Sequence, residues 1–207
     1  KQCLVGSEMC IRDSHYILDA FRENKQILKN PECTVHDIGD GVMCIEFQTK
    51  GNSIGEGIAK GINEAIDIAE KDGWNGIVIG NNDKQFSVGA NLMNMGMMAM
   101  QKNFDEIEKF LVGFQKILMR MRTCNVPVVS ATHGFVLGGG LEVSIHCDAG
   151  IHASESYIGL VEAGVGLIPG GGGTKEMAMR ASDSFNSGDV KMPVSYTHLR
   201  AHETLLD

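Results

Sequence analysis

What most restricts the fold of this 207-residue chain is a repeated change of hydrophobic period along it. From residue 54 to 69 apolar side chains recur every three or four positions (Ile54, Ile58, Ile62, Ala65, Ile66, Ala69). That is one face of a helix, and Gly73 stands where it would stop. The next apolar stretch, residues 76–80 (GIVIG), is too short for a helix and reads as a buried strand. The helical period returns at residues 104–121, with Asn103 or Asp105 placed to cap its start. Residues 127–131 (PVVSA) read again as a strand, and so do residues 150–153. Near the front, VHDIGDGVMCIEF predicts two short strands around a turn at Gly39, Asp40 and Gly41, the second of them half-buried. Strand and helix alternate, so the expected class is α/β.

Composition narrows the class of partner. Hydrophobic residues make up 43% and charged residues 21%, an ordinary globular mixture, and the net charge of -8 gives no basic footprint for nucleic acid. No run of 18 apolar residues predicts a transmembrane segment. The six cysteines (3, 10, 33, 44, 124, 147) form no CxxC pair and are expected to be reduced thiols of a cytoplasmic protein. His133, His146 and His152 share no metal-ligand spacing, so no metal is expected.

The two ends carry a different signal. Residues 194–204 (VSYTHLRAHET) are what one frame of a common transposase-adapter DNA encodes, and residues 4–13 (LVGSEMCIRD) are what its complementary strand encodes. Residues 1–14 and 194–207 are therefore expected to be translated adapter, and Cys3, Cys10, His198 and His202 to carry no function. Residues 15–32 read as a polar linker helix ending at Pro31, and residues 33–193 as an incomplete domain.

Chemistry gathers in the glycine-rich half. Gly138, Gly139 and Gly140 precede a helical run at 141–147, and a glycine turn that opens a helix offers free N–H groups to a phosphate or a developing oxyanion. A tight packing turn would use the same residues. Glu142 follows directly, where a carboxylate serves either as a dipole partner or as an acid–base group. Glu162 lies in the apolar setting IGLVEAGVGLIP, either at a strand end on the surface or in a pocket that raises its pKa. In FSVGANL (residues 86–92) Gly89 leaves the Ala90 N–H free to face a cleft, where it would pair with that of Gly139. The Met-rich run at 93–100 is expected to be core in preference to a mobile wall. GGGGTK at 170–175 superficially suggests a phosphate loop, but Thr precedes Lys and GxxxxGK[ST] is not satisfied.

FSVGANL, HGFVLGGGLEVSIHCD and YIGLVEAGVGLIPGGGGT occur in the order and spacing of the crotonase superfamily, and residues 33–193 resemble that family. The resemblance implies a repeated ββα superhelix, C-terminally truncated here. It implies Glu142 and Glu162 as the two catalytic acids, Ala90 and Gly139 as oxyanion-hole amides, and Asn52, Ile54, Gly89 and Gly138 as substrate-binding positions. The activity implied is an enoyl-CoA hydratase adding water syn to a 2-enoyl-CoA in fatty-acid β-oxidation. A Δ3-Δ2-enoyl-CoA isomerase or an inactive truncated fragment are the alternatives. The segment is similar to the hydratase part of bacterial proteins that also contain a 3-hydroxyacyl-CoA dehydrogenase part. NAD would belong to that other part only. The hydratase needs no cofactor beyond the CoA carried by its substrate, and the intact parent is expected to be a homo-oligomer.

Overall fold

The computed structural model describes Leu18, Phe21 and residues 25–186. The expectations for residues 1–14 and 194–207 lie outside these. A six-stranded sheet forms the first layer, built from β1 (Gln26–Lys29), β2 (Cys33–Gly39), β3 (Val42–Phe47), β4 (Gly76–Ile79), β5 (Val128–Thr132) and β7 (Ala149–His152), side by side in that order. The first three strands pair antiparallel and the rest parallel. A second layer is made of very short pieces. β6 (Phe135–Leu137) pairs parallel with β8 (Tyr157–Gly159), Ser87 bridges to Val136, and Ile54 bridges to Ala90.

Five helices follow these pieces: α1 (Glu56–Asp72), α2 (Leu92–Met100), α3 (Phe104–Thr123), α4 (Gly139–His146) and α5 (Gly173–Asn186). The chain therefore winds repeatedly through a first-layer strand, a second-layer strand and a helix. This is the repeated ββα superhelix expected from the sequence. Parallel strands require such a crossover.

α1 shows how the sequence writes one turn of this coil. Ile58, Ile62, Ala65, Ile66 and Ala69 are buried against the sheet, and Gly61 lets the helix approach Cys33 closely. Glu32 Oε2 accepts the Ile58 N–H at 3.1 Å near the helix start, and Gly73 ends it in the left-handed region (φ 72°).

Three expectations need correction. Residues 26–29 are strand β1, not linker helix. Asn30 Oδ1 accepts the N–H groups of Glu32 and Cys33, which turns the chain at Pro31 back onto β2. β3 is buried on both faces and not half-buried, and one face carries the enclosed pair His36 Nε2–Glu46 Oε2 at 3.1 Å. The Met-rich run is helical but not core: no residue of α2 is fully buried, and Met93 and Met100 are 77% and 88% exposed.

Candidate active site

Each glycine of the triplet touches a different neighbour, which explains why three are needed. Gly138 lies at φ 51°, ψ -120°, and a β-carbon there would stand 2.9 Å from Glu162 Oε1. On Gly139 it would stand 3.4 Å from the Ala90 amide nitrogen, and on Gly140 it would meet the Ser87 side chain at 2.7 Å. The turn is thus pressed against the strand that carries Ala90. Gly89 (φ 92°) completes the approach, because a β-carbon on it would lie 2.8 Å from Leu137 O and 3.1 Å from the Gly139 nitrogen. Among the described residues neither the Ala90 nor the Gly139 N–H donates to another backbone group. Gly139 is the first residue of α4, so its N–H also stands at the positive end of that helix.

The strand holding Ala90 is fixed from below. Ser87 Oγ donates to Asn52 O at 2.7 Å and accepts from Gly89 N at 3.1 Å, and Asn52 Nδ2 donates to Gln85 O at 2.9 Å. Asn52 (φ 52°) is buried, its N–H and C=O both engaged inside the fold. Ile54 is equally committed: its N–H donates to Gly89 O and its C=O accepts from Asn91 N. Both residues support the amide strand, and neither presents a free main-chain N–H.

The two carboxyls reach the same turn from different directions. Glu142 is 2% exposed, and its Oε1 accepts the Gly173 N–H at 2.9 Å. Burial pushes its pKa up. The Gly173 N–H opposes this, the nearby charge of Glu162 adds to it, and a Gly171 N–H opposes it again. Glu162 begins a short 3₁₀ turn after β8. Its Oε2 is shielded from solvent and has no hydrogen-bond partner among the described residues, while its Oε1 rests against Gly138. Burial raises its pKa as well, partly offset by its own backbone N–H. Glu162 itself is half-buried and residues 163–168 beyond it are exposed, so its setting lies between the two that the sequence allows.

Glu142 and Glu162, Ala90 and Gly139 are therefore brought together, with Gly89 and Gly138 as the spacers that allow it. Sequence reasoning missed Gly171 and Gly173. The glycine run read as a rival phosphate loop is the cradle of Glu142. A side chain on Gly171 would collide with the Glu142 carboxyl, and one on Gly173 would meet it at 3.1 Å. The available signal was length, since four successive glycines exceed what a single turn requires.

Beside Ala90 opens a cavity of about 440 Å³, lined by Ile54, Asn91, Met95, Met98, Phe110 and Glu32. Asn91 Oδ1 accepts the Asn94 N–H at 3.3 Å and so caps the α2 wall of this cavity. Neither this cavity nor a larger hollow of about 560 Å³ on α3, between Val112 and Thr123, is lined by either acid or either amide. The chemistry, not the size, identifies the site.

Two N–H groups with no backbone acceptor among the described residues, beside two burial-raised carboxyls on a two-layered ββα coil, define the class as crotonase-like. The solved structure of an enoyl-CoA hydratase from Polaromonas sp. JS666 is similar in fold, with a TM-score of 0.68 and 23% identity over 72% of this chain and 58% of that one. Residues 37–193 match the family described as enoyl-CoA hydratase/isomerase, and the chain belongs to that family. It is 42% identical over 161 residues to the "Probable 3-hydroxyacyl-CoA dehydrogenase" of Bacillus subtilis, covering 77% of this chain and 20% of that protein. It is 36% identical over 102 residues to the short-chain-enoyl-CoA hydratase of Clostridium acetobutylicum, covering 49% of this chain and 38% of that one. The chain thus spans less than two fifths of the length of either relative.

Proposed function

We propose that this chain carries an enoyl-CoA hydratase site that adds water syn across the double bond of a 2-enoyl-CoA thioester. The observation that carries the reading is the convergence of Glu142 and Glu162 on the turn whose Gly139 amide faces that of Ala90. In this reading the thioester oxygen sits between the two N–H groups, which stabilise the negative charge that grows there, at about 3 kcal/mol each. Glu142 acts as the base and takes a proton from water as the water oxygen bonds to the β-carbon. Glu162, protonated in its shielded setting, gives its proton to the α-carbon. One proton leaves Glu142 and one returns to Glu162 before the next turnover, so the two titrate as a pair.

The partner is the acyl-CoA thioester. CoA enters as part of the substrate, and the reaction needs no further cofactor. NAD would serve only a dehydrogenase part. The 3-hydroxyacyl product is what a dehydrogenase like that named in the Bacillus relative would oxidise, which supports a place in fatty-acid β-oxidation. Among the described residues no helix is long and apolar enough to cross a membrane. We place the protein in the cytoplasm as a homo-oligomer, a reading supported by the exposed apolar Ile151 and Ile168, which suit contact with a second copy.

The test is loss of the conjugated enoyl absorbance of crotonyl-CoA, with a 3-enoyl-CoA assayed beside it for double-bond migration. Hydration is expected to dominate and to be nearly abolished by Glu162→Gln. Nearly unaltered turnover in that variant would overturn the assignment.

A further inference from the structure

Behind Glu142 lies a charge cluster that the hydration chemistry does not use, with Glu176 and His146 buried and Arg122 and Lys175 exposed. Glu176, in the first turn of α5, has no exposed surface. Arg122 at the end of α3 pairs with it, Lys175 Nζ stands 3.2 Å from its Oε1, and His146 Nε2 of α4 stands 3.6 Å from the same oxygen. His146 is one turn beyond Glu142 on α4. Its Nδ1 donates to the Glu142 carbonyl at 2.7 Å, since a carbonyl can only accept. A second connection runs through α5 itself, because Gly173, its first residue, donates to Glu142 Oε1 three positions before Glu176. Helix α5 therefore holds the Glu142 side chain, and Glu176 holds α5 to α3 through Arg122.

Stability alone does not call for a charge in this position. Apolar residues of similar volume replace buried ion pairs at little loss or with gain. What a carboxylate among three basic groups supplies is a fixed distance and direction. Burial pushes the Glu176 carboxyl up, yet Lys175, His146 and Arg122 together hold it below the ordinary glutamate range, so it is ionised in the fold. Burial keeps the His146 imidazole down, so Arg122 and Lys175 are the charged partners of Glu176.

We propose that Glu176 is a positioning residue for Glu142, tying the first turn of α5 to α3 so that the Gly173 amide stays on the Glu142 carboxylate. The proposal rests on the hydratase reading, in which Glu142 must aim at one water. Misplacing a reacting group by about 1 Å lowers a rate on the order of a hundredfold. The groups facing Glu142 are Glu162 and the amides of Gly171 and Gly173, and those facing Glu176 are Arg122, His146 and Lys175.

The experiment compares Glu176→Gln with the unaltered chain on crotonyl-CoA across pH. The expected result is a kcat lowered about tenfold to a hundredfold, with KM unchanged within about twofold. The acid limb of the profile should move to higher pH, because weakening the Gly173 bond removes support for the ionised form of Glu142. The Glu142 carboxyl, followed by carbon-13 NMR and assigned with Glu142→Gln, should titrate at higher pH in Glu176→Gln whether or not turnover is measurable. Arg122→Gln, altering a partly exposed partner, should act in the same direction by a smaller factor, and Arg122→Lys should restore most of the loss. It decides the matter if Glu176→Gln fails to fold. A folded Glu176→Gln with parental kcat and parental Glu142 titration overturns the proposal. Absence of hydration in the unaltered chain would overturn the hydratase reading instead, and the NMR titration would still decide the role of Glu176.

Discussion

Gly138, Gly139 and Gly140 each rest against a different neighbour, whereas across the cleft no residue of α2 is fully buried. One wall is made of backbone pressed on backbone, with the buried Glu142 and the half-buried Glu162. The other is a nine-residue helix of mostly unbranched methionine side chains, capped by Asn91 and half open to solvent. The difference follows what each must do. Charge that develops on a carbonyl oxygen is stabilised only by donors already in position. An apolar chain of variable length is better met by side chains with several rotatable bonds. The two walls should therefore respond to substitution in opposite ways.

The largest effect is expected on the rigid wall at the acids themselves. Glu142→Gln and Glu162→Gln should each lower kcat for crotonyl-CoA on the order of a thousandfold, as expected for general acid–base groups. The double variant should be little worse than either single one, because the two act on one addition. Stopped assays at high enzyme concentration would measure this, and losses that multiply in the double variant would separate the acids into independent roles.

Next in size is the cradle. Gly171→Ala places a methyl group against the Glu142 carboxyl and Phe114, so kcat should fall about a hundredfold as Glu142 is displaced. Folding stability should drop by about 1–3 kcal/mol from overpacking. Thermal unfolding and steady-state kinetics on the same preparation check both numbers. A stable variant with parental kcat would mean that Gly171 is only a loop residue.

The same contrast explains how much could be read beforehand. That Glu142, Glu162, Ala90 and Gly139 approach one turn was legible from three motifs standing in the order of a known family. The long elements α1 and α3 were legible from their apolar period. β6 and β8 were not, since three residues carry no period, and their parallel pairing joins segments about twenty residues apart. β1 was hidden because Gln26–Lys29 is polar enough for a helix, and only the turn made by Asn30 and the edge of β2 decide otherwise. The methionines misled because hydrophobicity marks a residue as suited to burial, while what buries it comes from elsewhere in the chain. The roles of Gly171 and Gly173 required knowing that the first turn of α5 packs against the Glu142 side chain, a tertiary fact.

A smaller effect concerns the balance of function against stability on the rigid wall. Burial raises the pKa of Glu162 above the ordinary 4.5. The folded state therefore holds a proton that the unfolded state has lost, and stability falls as pH rises from that ordinary value through the raised one. Glu162→Gln does not titrate. Its melting temperature should match the parent's below pH 4.5 and exceed it progressively above, while its activity is lost. Equal melting temperatures at pH 4 and pH 7 would show that the carboxyl is better solvated than its shielded Oε2 implies.

The smallest effect belongs to the compliant wall, and it is the sharpest test of the contrast. Met98 is half-buried and lines the 440 Å³ cavity beside Ala90, so it is placed to touch an acyl tail and not the reacting carbons. Met98→Ala should leave kcat for a four-carbon enoyl-CoA unchanged within about twofold and shift stability by less than about 1 kcal/mol. For a ten-carbon substrate the lost apolar contact should raise KM about fivefold, from burial on the order of 1 kcal/mol. A parallel loss of kcat on both substrates would mean that α2 also aims the thioester at the amides. The distinction between a rigid catalytic wall and a compliant binding wall would then fail, because one helix would be doing both.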